Sequence, residues 1–158
     1  MLDCNMYEKY GQFTDGKWHK SSNGETYEVI NPANEEVLGQ ASKASPEDVN
    51  KALLSAQKGL EVWRKTPPWQ RAYILRRIAD KMREKQDILA KWMTLEVGKP
   101  FAEAKGEVNG AADIYEWNAE ETKSIFGQTV DSRFEDTRVH VYYQPVGVVA
   151  ALVPWNFP

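Results

Sequence analysis

The sequence has few of the features that mark disulfide-linked, secreted or membrane-spanning proteins. Its 158 residues include one cysteine, Cys4, so no disulfide can form within the chain. A single cysteine suits a reducing compartment, and we interpret Cys4, close to the N-terminus, as an incidental thiol and not a nucleophile. No apolar run approaches the roughly 20 residues of a membrane span. No basic region followed by an apolar stretch begins the chain, so we expect a cytoplasmic protein without a signal peptide or membrane partner.

The chain also has no large excess of charge of one sign, and it has only two histidines. A net charge of -3 gives no electrostatic reason to expect a nucleic-acid partner. The helix that follows Pro68 carries a run of cations, which we interpret as a solvated face: Arg71, Arg76, Arg77, Lys81, Arg83 and Lys85. His140 has no second His, Cys or paired carboxylate at ligand spacing. We therefore interpret it as a strand residue and predict no metal site.

What the chain does contain is enough apolar sequence for an ordinary globular fold. Hydrophobic residues make up 42% of the sequence and charged residues 27%, which are usual proportions. Residues 12–41 resemble short strands separated by turns, with Asp15-Gly16 between aromatic residues predicting a hairpin. Further strands are predicted at 25–30 and 36–41. Alternating residues at 138–143, after a polar turn, predict a two-stranded ribbon that needs a partner surface.

Residues 45–119 have the spacing of four helices. Ser45 is predicted to cap the first helix, with a proline as its first residue and acidic residues after it. Thr66-Pro67-Pro68 is predicted to end that helix and cap the second, in which large side chains such as Trp69 and Tyr73 should be buried. Gly98 is predicted to end the third helix, with the fourth following it.

The last stretch of the sequence carries the strongest indication of a site. Residues 146–153 form an unbroken apolar run, which favours a strand buried on both faces. Because Val153 precedes Pro154, the strand must end in a loop that presents Trp155 and Asn156. Ligands of parallel sheets bind outside the carboxyl ends of strands, and an asparagine amide there can stabilise an oxyanion. An ordinary core strand followed by a turn is the alternative.

Several motifs in this order resemble the aldehyde dehydrogenase superfamily. They are Gly-Lys-Trp at 16–18, Val-Ile-Asn-Pro-Ala at 29–33, Trp-Arg-Lys-Thr-Pro-Pro at 63–68, Leu-Glu-Val-Gly-Lys-Pro at 95–100, and Pro-Trp-Asn-Phe-Pro at 154–158. The resemblance covers the chain from about Phe13 onward. It implies an α/β fold of helices and short strands, the N-terminal part of a Rossmann-like nucleotide-binding domain. Residues 1–126 would belong to that domain, 127–144 to a β-ribbon oligomerisation arm, and 145–158 to the first core strand.

The resemblance also implies a reaction, the NAD- or NADP-dependent oxidation of an aldehyde to a carboxylic acid. Val153, Pro154, Trp155 and Asn156 would contact the cofactor, and Asn156 would help to hold the oxyanion. The family's catalytic cysteine and glutamate and its glycine turn have no counterpart in this sequence. We therefore expect an N-terminal fragment that is inactive alone and forms a homo-oligomer, a dimer or tetramer in the family. The alternative is a non-catalytic, self-associating module.

The substrate is indicated by the end of the fourth helix. Residues 115–127 are most similar to succinate-semialdehyde dehydrogenases within the family, although lactaldehyde and betaine-aldehyde enzymes stay open. The resemblance implies that Gly110, Ile114 and Trp117 face the substrate tunnel, with core packing as the alternative. Glu96 corresponds to a monovalent-cation site in some members, and a surface carboxylate is the alternative that we favour.

Overall fold

The computed structural model describes residues 6–157, so Cys4 lies outside the described part of the chain. That part consists of helices and short antiparallel strands, which confirms the predicted mixture of helices with short strands. In chain order the elements are α1 Met6–Lys9, β1 Gln12–Thr14, β2 Lys17–His19, β3 Thr26–Ile30, β4 Val37–Ser42, α2 Pro46–Trp63, α3 Pro68–Glu84, α4 Gln86–Val97, α5 Phe101–Glu121, β5 Gln128–Asp131 and β6 Arg138–Val141. No helix within residues 6–157 is both long and apolar enough to cross a membrane.

The strands of the described residues pair two by two, each with its neighbour in the chain. The predicted hairpin is confirmed: β1 and β2 are joined through Asp15 and Gly16, whose φ angles are 54° and 75°. Two consecutive positive φ angles define the turn that matches the twist of a hairpin, and glycine adopts them without strain. Strands β3 and β4 also pair antiparallel, as expected for the stretches predicted at 25–30 and 36–41.

Helix α2 begins with the predicted cap. The hydroxyl of Ser45 accepts a hydrogen bond from the backbone of Asp48 at 3.2 Å, and the Asp48 carboxylate accepts one from the backbone of Ser45 at 3.0 Å. The same carboxylate accepts a hydrogen bond from the backbone of Ser22 at 3.1 Å. These amides, that of Ser45 first, hold the pKa of the Asp48 carboxyl well below its usual range. The network joins the start of α2 to the loop after β2.

Helix α3 begins differently from the prediction. Its N-cap residue is Pro67, which makes no side-chain capping bond, and the hydroxyl of Thr66 donates instead to the Val62 carbonyl at 2.9 Å. Thr66 therefore closes α2 and does not cap α3. The predicted end of α4 is confirmed, since Gly98 has a φ of 75° and its amide bonds the Thr94 carbonyl at 3.0 Å.

The core lies where α5 packs against α3 and α4, and its buried apolar residues are small. Their side chains are at most 5% exposed: Ala72, Ala79, Ala90, Ala104, Val108, Ala112 and Ala119. Six of these seven residues are alanines, whose small side chains let helix backbones approach closely. The guanidinium of Arg83 on α3 also donates to Asp113 and Glu116 on α5, at 2.7 Å each. The first of these bonds is the main reason why the pKa of Arg83 is raised.

The predicted burial of the large rings on α3 is wrong. Trp69 is 74% exposed and Tyr73 is 60% exposed. The periodic spacing placed them on the apolar face, but the residues buried between the helices are small, six alanines and Val108. Trp69 lies instead under the ammonium of Lys123, which is 5.1 Å from the ring centroid.

The two-stranded ribbon forms as predicted, whereas the strand after it does not. Strands β5 and β6 pair antiparallel, and every one of their residues is exposed. Residues 146–153 belong to no strand, and Val146, Leu152 and Val153 are 92%, 97% and 77% exposed. An extended segment becomes a strand only when a neighbour satisfies its backbone groups. The strands within residues 6–157 pair among themselves, and none of them pairs with this run.

Candidate functional site

The four predicted site residues lie together at the end of the apolar run. Trp155 and Asn156 form a turn that Pro154 precedes, as the sequence predicted. We call residues 154–157 the C-terminal turn. Val153, Pro154, Trp155 and Asn156 are all exposed, with Trp155 at 81%. Their side chains are therefore open to a ligand, and the amide of Asn156 can donate to a developing negative charge. Their assigned roles in cofactor and oxyanion binding stay predictions.

Lys99 attaches the C-terminal turn to the helices. Its ammonium donates to the backbone carbonyl of Asn156 at 3.0 Å and lies 4.5 Å from the centre of the Phe157 ring. It also pairs with the carboxylate of Glu107 on α5. The side chains of Lys99 and Glu107 are only 14% and 19% exposed, so little water screens this pair. A residue 57 positions away from Asn156 thus holds its backbone.

Local backbone geometry explains how Lys99 reaches the turn. Gly98 ends α4 in the left-handed region, and Pro100 is the N-cap residue of α5. Because Lys99 precedes a proline, the extended region is favoured for its backbone. A β-carbon added to Gly98 would lie 3.0 Å from the ring of Pro32, so the glycine also permits a close approach. Lys99 is therefore fixed between two restricted residues.

Sequence reasoning missed both Lys99 and Glu107. Gly98-Lys99-Pro100 was interpreted as a helix end and as part of a family motif, and Glu107 was given no role. The sequence did offer one signal for an ion pair, namely a lysine before a proline with a glutamate about two turns into the following helix. No local rule connects that pair to Asn156. The other oxygen of Glu107, Oε1, is buried and has no hydrogen-bond partner among residues 6–157.

A separate groove of about 1190 Å³ lies where the end of α5 meets the loops around Thr66 and Gln144. Of the three predicted tunnel residues it includes Ile114, which is 64% exposed. Trp117, 70% exposed, lies instead beside acidic residues at the end of α5, and Gly110 lines neither surface. The alternative that Ile114 and Trp117 are packed in the core is therefore wrong, because both side chains are exposed. The C-terminal turn does not line the groove.

Glu96 is engaged by a tyrosine. The hydroxyl of Tyr7 donates a hydrogen bond to Glu96, which is exposed. Burial first, and this bond second, raise the pKa of Tyr7 above its usual range. Across residues 6–157, no three His, Cys, Asp or Glu side chains come close enough to hold a metal ion. Glu96 is thus an exposed carboxylate with a tyrosine as its hydrogen-bond partner.

A comparison with known families identifies the class of protein. The model of the aldehyde dehydrogenase family matches residues 18–158, so the chain belongs to that family. The predicted family is therefore confirmed, and with it the relation to oxidoreductases that use NAD or NADP.

The relatives indicate which members it resembles. Glutarate-semialdehyde dehydrogenase of Pseudomonas aeruginosa is 46% identical over 158 residues, which are 100% of this chain and 32% of that protein. The Escherichia coli protein named succinate-semialdehyde dehydrogenase, NADP(+), is 44% identical over 99% of this chain and 32% of its own length. The crystal structure of succinate-semialdehyde dehydrogenase from Burkholderia pseudomallei superposes with a TM-score of 0.91 at 40% identity, covering 94% of this chain and 31% of that one. The chain thus spans about a third of the length of these relatives.

Proposed function

We propose that this chain forms the N-terminal part of an NAD- or NADP-dependent dehydrogenase that oxidises a semialdehyde to a carboxylic acid. The observation that carries the proposal is the C-terminal turn, which presents Trp155 and Asn156 to solvent at the end of an apolar run. Semialdehyde dehydrogenases with 46% and 44% identity support this substrate class. The substrates in these two names, glutarate semialdehyde and succinate semialdehyde, each carry a carboxylate at the end opposite the aldehyde.

Each residue of the turn has a proposed role. The side-chain amide of Asn156 donates a hydrogen bond to the oxygen of the attacked aldehyde, where negative charge develops. Val153, Pro154 and Trp155 contact the nicotinamide cofactor and keep water away from it. NAD or NADP, when bound, supplies the hydride acceptor. The exposed indole of Trp155 offers an apolar surface for such a flat ring.

The proposal includes the inactivity of the 158-residue chain by itself. The chain has one cysteine, Cys4, and no Gly-x-Gly-x-x-Gly sequence. One oxyanion donor is worth about 10²- to 10³-fold in rate, whereas a covalent route needs its nucleophile. The purified chain, mixed with succinic semialdehyde and NADP or NAD, should form no reduced cofactor above background. Steady turnover under these conditions would contradict this part of the proposal.

A chimaera tests the activity itself. This chain would replace the matching 32% of the Escherichia coli relative, and reduced-cofactor formation would be followed with succinic semialdehyde, glutaric semialdehyde, lactaldehyde and betaine aldehyde. We expect turnover that favours the two semialdehydes. A chimaera that folds and binds NADP like the parent enzyme but oxidises no aldehyde would refute the proposal. A preference for betaine aldehyde would refute the substrate class alone.

Two asparagine variants of the chimaera test the role of Asn156. Asn156→Ala removes the oxyanion donor and should lower kcat by about 10²- to 10³-fold. The control is Asn50→Ala, an exposed asparagine on α2, which should leave kcat unchanged. Equal kcat values in the two variants would remove Asn156 from the reaction.

A second candidate function is self-association without catalysis. The specific observation is the exposed apolar run at 146–153, where Leu152 is 97% exposed. Unpaired apolar segments of this kind tend to pair with another copy of the chain. Light scattering after size-exclusion chromatography should show an oligomer that Leu152→Lys weakens. The control, Val62→Lys at a 70% exposed position on α2, should leave the mass unchanged, and a monomer at high concentration would refute this candidate.

A further inference from the structure

We propose that Lys99 is a positioning residue for Asn156, which it holds through the backbone of the C-terminal turn. The assignment of a purpose to this contact rests on the proposed function, because it is the oxyanion role of Asn156 that requires a fixed position. The contact itself does not depend on that function and can be measured in the chain as it exists.

The ammonium of Lys99 has three N–H donors, and two of them have a hydrogen-bond acceptor. One points to the carboxylate of Glu107, one lies 3.0 Å from the carbonyl oxygen of Asn156, and the group as a whole faces the Phe157 ring at 4.5 Å. With a side chain only 14% exposed, the charge has lost most of its water. A desolvated ammonium binds its remaining partners more strongly than a surface lysine does.

The anchor of this arrangement is α5. Glu107 lies on that helix between the wholly buried Ala104 and the nearly buried Val108, so its backbone belongs to the packed core. Lys99 itself is fixed by Gly98 and Pro100 on either side. The two ends of the Lys99–Glu107 pair are therefore set by the helices, and the C-terminal turn is the part that the pair holds in place.

Holding the carbonyl of Asn156 also limits where its side chain can go. The carbonyl and the side chain share one α-carbon, so a fixed peptide leaves only the side-chain torsions free. An oxyanion donor is effective when its position is set before the reaction. The exposed Asn156 amide has no burial to set it, and the Lys99 bond supplies this restraint.

A structural role in the Lys99–Glu107 pair alone is the competing explanation, and the chain offers a matched control. Lys105 also pairs with a carboxylate, that of Asp87 at 2.8 Å, and lies 5.7 Å from the ring of Phe101. It has an ion pair and an aromatic neighbour on the same helix but no bond to the C-terminal turn. Lys105→Met therefore also removes an ion pair and an aromatic neighbour, at a lysine that is 37% exposed and makes no bond to the C-terminal turn.

The experiment is NMR of the 158-residue chain labelled with ¹⁵N and with ¹³C-lysine. In the parent, the ring of Phe157 should shift the terminal methylene protons of Lys99 upfield, and Phe157→Leu should abolish that shift. The Asn156 side-chain amide should show restricted motion in its heteronuclear NOE. Lys99→Met should free this amide, because loss of a charge-assisted hydrogen bond lowers the ratio of docked to undocked turn about ten-fold or more.

Two further variants make every outcome decisive. Lys99→Arg keeps the charge and a donor, so it should restore the restricted motion of the Asn156 amide, while Lys105→Met should leave it as in the parent. An unshifted Lys99 resonance in the parent, or an Asn156 amide equally mobile in parent and Lys99→Met, would overturn the inference. Because no turnover is measured, an inactive chimaera with an ordered Asn156 amide would refute the proposed function and leave the contact standing.

Discussion

Replacing Ala112 by leucine tests whether the helices are as closely packed as the structure indicates. Ala112 is 0% exposed on α5, in one stripe with Ala104, Val108 and Ala119 that packs against α3 and α4. Leucine adds an isopropyl group where no space is available, so either α5 moves away or the new side chain adopts a strained rotamer. Such overpacking costs typically about 1–3 kcal/mol of the free energy of unfolding.

The cost should appear as a lower melting temperature. For a chain of this size, each kcal/mol corresponds to about 2–4 °C. Urea denaturation followed by far-ultraviolet circular dichroism would give the free energies, and the slope with urea should stay constant. Any alanine-to-leucine substitution on α5 also changes the helix propensity slightly, and this small contribution has to be subtracted from the measured change in the free energy of unfolding.

Ala102→Leu supplies that subtraction. Ala102 lies on the same helix but is exposed, so the same substitution there should change stability by less than about 0.5 kcal/mol. The difference between the two variants isolates the cost of overpacking. If Ala112→Leu and Ala102→Leu have the same free energy of unfolding, the close alanine packing of α5 is refuted.

Three further outcomes are expected from the turns and caps. Gly98→Ala should destabilise the chain by about 1–2 kcal/mol in urea denaturation, because Gly98 has a φ of 75° and lies close to Pro32. Gly106 lies within a helix with open space around it, so Gly106→Ala should stabilise the chain by about 0.5–1 kcal/mol. Equal effects of the two substitutions would refute this contrast. Ser45→Ala should cost about 1 kcal/mol by the same assay, and no loss would mean that the cap is unimportant. The pKa of Asp48 is depressed in the folded chain, so the stability that its carboxylate contributes is complete above the ordinary pKa of about 4 and is lost as the pH falls below it. In Asp48→Asn the urea midpoint should therefore fall less between pH 7 and pH 3 than in the parent. Parallel curves of midpoint against pH would contradict this.

Local chemistry explains which parts of the fold could be predicted from the sequence. The Asp15-Gly16 hairpin, the Ser45 cap and the Gly98 helix end all depend on residues within a few positions of one another. In each case the conformation is fixed by one backbone preference or one short-range hydrogen bond, so the sequence alone predicts it.

Burial was predicted less well, because it depends on how closely helices approach. Apolar spacing along α3 predicts which face is turned inward, but it does not reveal the distance to the neighbouring helix. Alanines such as Ala72 and Ala79 fill the contact, and the rings of Trp69 and Tyr73 remain exposed. The strand predicted at 146–153 was wrong for a related reason, since an apolar segment becomes a strand only when a partner strand lies beside it.

The candidate site shows the same division between local and distant information. The turn at Trp155 and Asn156 was predicted because a proline after an apolar run forces a loop, and the structure has a turn there. The cofactor contacts of Val153 and Pro154 were implied by the family resemblance and stay predictions. Lys99 could not be connected with them, because its bond to Asn156 spans 57 residues and depends on the packing of α4 and α5.

The position of Asn156 is therefore tied to the packing of the helices. Glu107, which holds Lys99, lies between two residues of the α5 contact, Ala104 and Val108. A substitution that pushes α5 away at Ala104 would move the carboxylate and with it the ammonium that bonds the Asn156 carbonyl. Overpacking at Ala119, a few turns further along α5, would leave this end of the helix nearer its place. Core variants close to Lys99 should therefore loosen the C-terminal turn more than equally destabilising variants at the far end, because the turn is attached at one end of α5 only.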